Sequence, residues 1–477
     1  MLNCVNSTIQ AQDFDEWREQ HQKEFQEFKD ERDAAFLKML EEMWMEVEGT
    51  DSEPLFDEPK IDIIPQIEPS SSVEEVDIKI TETVKIHANM PNTDLPSSEI
   101  IEEELFSTPD GSYTSEVIYY EVELPFYYFR ENLVRISGLP TQKSMKRYWE
   151  EMSRTDYHIF IDRLSQIIDR MKLNDWGVLK LTGMFGDQIY GSYGNNTQLF
   201  VWFMMTKLGY DVKAGFNEEG VYVLIPLEYK ISNTRYFTIN GRRYYIILLN
   251  KNARKPHSVI TYEGNYPETE TLFTLNIQQL PILPEQVNSR ELRFTWQQKD
   301  YNFSIPYNQN VIEYYRQFPT TEIHVYTMGA NSEMTINALF ENLSAIIDDR
   351  SRTEAINILL RFVQTAFDYK TDFRQFGRQK FMLPEEILYY PYSDCDDRAI
   401  LFAFLAYHLV GAEVIGVRFP GHLATAVQVD EHIDGDTLFY NGKQYVIADP
   451  TFINATVGMT MSKFRGVSPE FVPLFLN

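Results

Sequence analysis

The sequence predicts an α+β protein, and three observations lead there. Stretches with apolar residues at steps of three and four are interleaved with shorter alternating or β-branched stretches, so helices and strands mix along the chain. One order of elements, a helix closed by Gly, a strand and a hairpin turning on Asn-Gly, occurs twice. The apolar and aromatic fractions, 43% and 14%, are those of a chain that buries a core, and 477 residues suffice for two or three domains.

Taken in order, residues 5–12 (Val-Asn-Ser-Thr-Ile-Gln-Ala-Gln) look like the tail of a secretory leader with cleavage near Ala11, although the basic and apolar regions of a leader are absent. Residues 1–12 are therefore read as a leader remnant, which predicts a periplasmic or extracellular protein; the other reading is an ordinary frayed terminus. Residues 13–48 form a long amphipathic helix. Phe14, Trp17, His21, Phe25, Phe28, Arg32, Phe36, Met39 and Met43 make one mostly apolar stripe, and Gly49 ends it. Such a stripe suits a partner helix, self-association or packing on its own globular domain. Residues 49–112 are an acidic linker rich in Pro, Ser, Glu and Asp, with Val76 to Ile86 as an isolated strand. The first 110 residues hold 29 acidic and 8 basic side chains, three quarters of the net charge of −28. That sign argues against nucleic acid and anionic membrane surfaces as partners. No apolar run reaches the roughly 18 residues that a transmembrane helix requires.

Globular composition begins at Tyr113. Ser144 to Lys172 reads as helix, and the first copy of the repeated order lies within 113–256. Gln198 to Val212 aligns with Ile400 to Val414 without gaps at an offset of 202, and Phe237 to Ile247 matches Leu438 to Ala448 one residue out of that phase. The Asn240-Gly241 and Asn441-Gly442 pairs mark the hairpins. We read an internal duplication. Residues 257–330 are β-rich: Ser258 to Tyr262, Thr271 to Ile277, Glu291 to Trp296, Tyr301 to Ile305 and Glu322 to Tyr326 read as strands, punctuated by prolines. Thr335 to Asp348 and Thr353 to Tyr369 are helices that open the last unit, 331–477.

That unit carries the chemistry. Cys395 follows Ser393-Asp394, and Ala399 to Gly411 is a buried helix with a Gly stop. Asp394 stands at its N-cap, which places Cys395 in the first turn, where the helix dipole favours a thiolate. His422, in Pro-Gly-His-Leu-Ala-Thr-Ala-Val, lies between two strands, and Asp449 ends the strand Gln444 to Ala448 ahead of Pro450. A thiol, an imidazole and a carboxylate are the groups that acyl transfer through sulfur uses.

The motifs Ser-Asp-Cys395-Asp-Asp, Gly-His422-Leu-Ala-Thr-Ala-Val and Ala-Asp449-Pro-Thr resemble those of the transglutaminase-like superfamily, over about Thr335 to Phe464. The resemblance implies a papain-like fold with Cys395 as nucleophile, His422 as general base and then acid, and Asp449 as the orienting carboxylate. It implies a degenerate transglutaminase-like domain upstream: Cys395 falls on Tyr193 and His422 on Gly220 at the offset of 202, and Asp449 falls on Leu248 at 201. The expected function is a cysteine-dependent acyl-transfer hydrolase acting on amide bonds of a peptide or protein. The alternative is a binding or assembly protein that keeps the fold without catalysis.

Asp394, Asp396 and Asp397 raise the cost of a thiolate, and Arg398 offsets only part of this, so a thiolate needs His422 as imidazolium. The Cys395 backbone N–H is one oxyanion donor candidate; Tyr389, Tyr390, Tyr392 and Gln379 are candidates for a second. Zinc is the rival use of these three groups, but no second histidine stands at a ligand spacing, so neither metal nor cofactor is expected. Asp430, Glu431, Asp434 and Asp436 miss the calcium-loop spacing and read as a solvated hairpin. Two cysteines, Cys4 and Cys395, allow no disulfide framework.

Overall fold

The computed structural model describes residues 31–59, 66–67, 108–191, 194–249, 254–269, 271–428 and 435–476. The expectations for residues 1–30, for Val76 to Ile86 and for the acidic turn at 430–434 lie outside these. The fold is mixed α+β. Residues 31–42 are helical (α1) and pack on their own chain: Phe36 and Leu40 are buried, and the Phe36 ring lies 4.5 to 6.1 Å from those of Trp149, Trp202, Tyr262 and Tyr266. The helix expected to run through Val47 does not. Trp44–Asp51 is a strand, β1. The stripe of α1 stops at Met43, and alternation takes over in the barrel described below.

β2 (Tyr113–Tyr119) and β3 (Val122–Tyr128) form a hairpin. Helices α2 (Gln142–Ser153), α3 (His158–Met171), α4 (Asp175–Tyr190) and α5 (Asn195–Lys207) follow. The single helix expected over Ser144 to Lys172 is thus two, broken after α2 where Thr155 turns its hydroxyl back onto the Met152 carbonyl. Then come β4 (Lys213–Phe216), β5 (Val221–Pro226), β6 (Arg235–Ile239), β7 (Arg242–Ile246) and β8 (Ser258–Tyr262). In the order β1-β6-β7-β5-β4-β8 these strands close into an antiparallel barrel.

The closure corrects two expected boundaries. Residues 31–48 are not separate from the domain after 113, because Trp44 to Glu48 pair with β8 and Gly49 to Asp51 with β6. Nor does the barrel end at 256, since β8 completes it. A strand contributed from so far along the chain leaves no local signal beyond its own alternation. Residues 50–59, read as linker, are docked on the protein rather than spacing it.

Within 257–330, β9 (Val287–Trp296) and β10 (Lys299–Asn308) form one long hairpin. Thr271 to Ile277 makes only isolated bridges, at Thr271 and Phe273. α6 (Gln309–Arg316) follows, and Glu322 to Tyr326, expected as strand, lies largely in the one-turn helix α7 (Ile323–Thr327). All five of its residues are buried, so its apolar content reflects burial on every side and not a period of two.

α8 (Glu333–Ile347) and α9 (Arg352–Thr365) match the two expected helices, except that the second stops at Thr365 and its expected end, Asp368–Tyr369, is a short strand. After β11 (Asp368–Tyr369), α10 (Asp372–Phe376), α11 (Pro384–Tyr389) and β12 (Tyr392–Ser393) comes α12 (Cys395–Val410). β13 (Val414–Phe419), β14 (His422–Val427), β15 (Thr437–Tyr440), β16 (Lys443–Ala448) and β17 (Glu470–Val472) form the sheet β15-β16-β14-β13-β17, antiparallel throughout. Its order matches the barrel run β6-β7-β5-β4-β8, element for element.

The two sheets also share their turns and faces. Asn240-Gly241 and Asn441-Gly442 hold φ of +50°, +78° and +48°, +78°, the left-handed pair that a two-residue hairpin needs. In β5, Val221, Val223 and Ile225 face the main core while Tyr222 and Leu224 fill the barrel; in β14, Leu423 and Val427 face the main core while Ala424 and Ala426 face a second small core. Among the described residues no helix is long and apolar enough to cross a membrane.

Candidate active site

α12 is buried along nearly its whole length, and its first turn is held by carboxylates. Asp394 Oδ1 accepts the Asp396 N–H at 3.2 Å, and Asp397 Oδ2 returns the favour to the Asp394 N–H at 3.3 Å, a reciprocal cap. Asp397 Oδ1 also takes the Met382 N–H, and Asp394 Oδ2 the Asp372 N–H. Two of the three flanking aspartates therefore act in folding. The third, Asp396, accepts from the Cys395 thiol at 3.5 Å. Arg398, fully buried, donates to Ser393 Oγ and to the Gln364 and Phe367 carbonyls, so it ties the helix start to α9 and the turn after it.

The expected trio lies on three adjoining elements: Cys395 first in α12, His422 first in β14, and Asp449 directly after β16. His422 Nε2 meets Asp449 Oδ2 at 2.9 Å, with both side chains buried. Asp449 Oδ1 accepts the Thr451 N–H at 2.9 Å, and Gln364 Nε2 holds the Asp449 carbonyl at 3.1 Å. The His422 ring is parallel to Phe464, 5.3 Å between centroids. With Nε2–H given to Asp449, the lone pair falls on Nδ1, which is buried and has no hydrogen-bond partner among the described residues. The backbone N–H of Leu423, the residue next to His422, lies on the sulfur's side and favours the thiolate.

Cys395, Asp396, Phe419, Gly421, His422 and Leu423 line one side of a cavity of about 830 Å³. The thiol itself is only 1% exposed. Burial, then the charges of Asp396 and Asp394, pushes the Cys395 thiol well up. Burial likewise pushes Asp394 up to about 6 and raises Asp372, Asp396 and Asp397. The ligand atoms of Asp394, Cys395 and Asp396 lie close enough together to hold a cation. Asp394, however, is already committed to backbone N–H groups, and the imidazole is turned to Asp449.

None of Tyr389, Tyr390, Tyr392 and Gln379 lines this cavity. The Gln379 amide is taken by Leu55 and Phe56. A residue that sequence reading missed is Tyr369. Its hydroxyl is buried with no hydrogen-bond partner among the described residues, and burial and the nearby Cys395 raise its pKa, although it too does not line the cavity. Gln364 was missed too. Neither sits in a motif, and both reach the site only through tertiary packing.

The barrel has a cavity of about 410 Å³ at the matching place, lined by Asn195, Gly220, Val221 and Leu248 among others. Asn195, first in α5, accepts the Val221 N–H on Oδ1 at 2.9 Å. Gly220 and Leu248, at the positions of His422 and Asp449, carry neither imidazole nor carboxylate, although Glu219 lines the same cavity, and Tyr193 lies outside the described residues. No known protein family, curated protein or solved structure matches this chain.

Proposed function

We propose that the protein is a cysteine-dependent acyl-transfer hydrolase of the transglutaminase-like kind, acting on amide bonds of a peptide or protein. The observation that carries this is the His422 ring, bound to Asp449 through one nitrogen and free at the other, beside a cavity it shares with Cys395. Nδ1 takes the thiol proton, and the sulfur attacks the carbonyl carbon. The C–N bond breaks as Nδ1 returns that proton to the departing amine, leaving a thioester. Water then adds to the thioester, giving a proton to Nδ1; the acid leaves and the thiol recovers its proton. A carboxylate on Nε2 steadies the imidazolium in between. The Tyr369 hydroxyl is a donor for charge developing near the sulfur.

In this reading the barrel unit is a duplicated, degenerate copy that serves as platform. The matched strand order and the paired Asn-Gly turns support it. Export, suggested by residues 5–12, belongs to the same proposal and is read by cell fractionation.

A second reading, a binding or assembly protein without catalysis, is favoured by one observation: the thiol is buried, and its neighbours oppose its ionisation. Alkylation of Cys395 by iodoacetamide, followed by peptide mass mapping, separates the two. Fast labelling near neutral pH that collapses in His422→Ala supports the enzyme, together with new amino termini in unfolded casein. Slow labelling, equal in both proteins, supports the scaffold.

A further inference from the structure

The wall facing Cys395 and His422 across the cavity is not built by the catalytic elements. Residues 50–57 leave the end of β1 and run along it. They are held mainly through their backbone. The Leu55 N–H donates to Gln379 Oε1 at 2.9 Å, Gln379 Nε2 donates to the Phe56 carbonyl at 3.2 Å, and Arg418 Nη1 donates to the Leu55 carbonyl at 3.1 Å. The Phe56 side chain is buried, its ring 5.2 Å from that of Phe381 and 5.2 Å from the Arg418 guanidinium carbon.

Both ends are pinned. Upstream, Arg235 grips the Asp51 carboxylate with two bonds of 2.8 Å, and Ser52 exchanges hydrogen bonds with Thr234. Downstream, Ile67 N–H donates to the Ile453 carbonyl and Asn454 Nδ2 to the Ile67 carbonyl, just past Asp449.

Three main-chain hydrogen bonds and one aromatic socket are how a protein holds an extended polypeptide whose sequence it reads lightly. We propose that residues 52–57 are a strap seated as a substrate would be, gating access to the Cys395 thiol. Gln379, Phe381 and Arg418 form the subsite that takes an extended polypeptide with a bulky apolar side chain once the strap lifts. The proposal rests on the peptide-acting reading for its substrate and on the cavity alone for its gate. Tethering gives the strap a high effective concentration, so a free peptide succeeds only when the strap is weakened.

The test uses the full chain and follows iodoacetamide labelling of Cys395 by peptide mapping. Phe56→Ala is expected to raise the rate about tenfold or more. Gln379→Ala, which cuts two backbone bonds and leaves the ring in place, is expected to do the same. A synthetic peptide spanning residues 50–60, at millimolar concentration, restores protection to Phe56→Ala; the same peptide carrying Phe56→Ala does not. Unchanged labelling in both variants, with melting temperatures like the parent, overturns the gate. Faster labelling that neither peptide slows overturns the subsite. Repeating the pair in a His422→Ala background separates this from the catalytic reading: the strap's factor persists there even when the thiol is not activated.

Discussion

His422 and Asp449 are joined by a single 2.9 Å hydrogen bond between Nε2 and Oδ2, and that bond decides which ring nitrogen is left for chemistry. Asp449→Asn, whose amide can offer N–H as readily as oxygen, removes the preference for the tautomer with a free Nδ1. We expect hydrolysis or Cys395 labelling at pH 7 to fall by roughly 10²-fold or more, and His422→Ala to fall at least as far. Stopped-flow labelling reads both.

Burial and Asp396 hold the thiol proton in place. A raised thiol pKa means a smaller thiolate fraction at any pH below it, so in a His422→Ala background labelling climbs only in alkaline solution. Removing the carboxylate in Asp396→Asn brings the pKa down and moves that climb to lower pH. A rate profile between pH 6 and 11 for both proteins checks the direction.

Stability carries the opposite dependence from an ordinary acidic surface. The Asp394 carboxyl, pushed up to about 6 by burial, is protonated in the fold at a pH where it is ionised in the unfolded chain. Its contribution is full below the ordinary carboxylate range and is lost as pH rises through about 6. Asp372, Asp396 and Asp397 push in the same direction. We expect greater stability at pH 5 than at pH 8, by on the order of 1 kcal/mol from Asp394. Urea unfolding at the two pH values, with Asp394→Asn narrowing the gap, is the measurement.

Tyr369→Phe tells a donor from a packing residue. If the hydroxyl serves developing charge, turnover falls by about tenfold to a hundredfold. The fold itself gains stability, on the order of 1 kcal/mol, because a buried group without a partner is gone. Loss of stability with unchanged turnover contradicts the assignment.

Phe36→Ala asks whether α1 belongs to this chain or to a partner. Its ring contacts four aromatic residues of the barrel unit, so truncation is expected to cost about 3 to 5 kcal/mol in urea unfolding of the isolated protein. A helix awaiting another protein gives almost nothing.

Cys395, His422 and Asp449 were legible because each sits at an element terminus with its own local chemistry: an N-cap aspartate, a Pro-Gly turn, a proline stop. The Asn-Gly hairpins were legible for the same reason. What escaped reading was non-local. β1 has no partner within reach in sequence. Gln364 stands in the last turn of a helix like any polar residue, and Tyr369 follows that helix without a motif. Leu55 and Phe56 stand in a stretch whose proline and acid content hides two anchored residues. The alternation at Glu322 to Tyr326 misled because a fully buried helical turn shows the same apolar letters as a strand.

The six-stranded ring has a practical corollary for anyone trimming this polypeptide. Cutting away the acidic first hundred residues as dispensable removes the staple between β6 and β8, and leaves both with bare amide edges. Such a fragment invites edge-to-edge clumping, so a shortened version that stays dispersed has to begin ahead of Trp44.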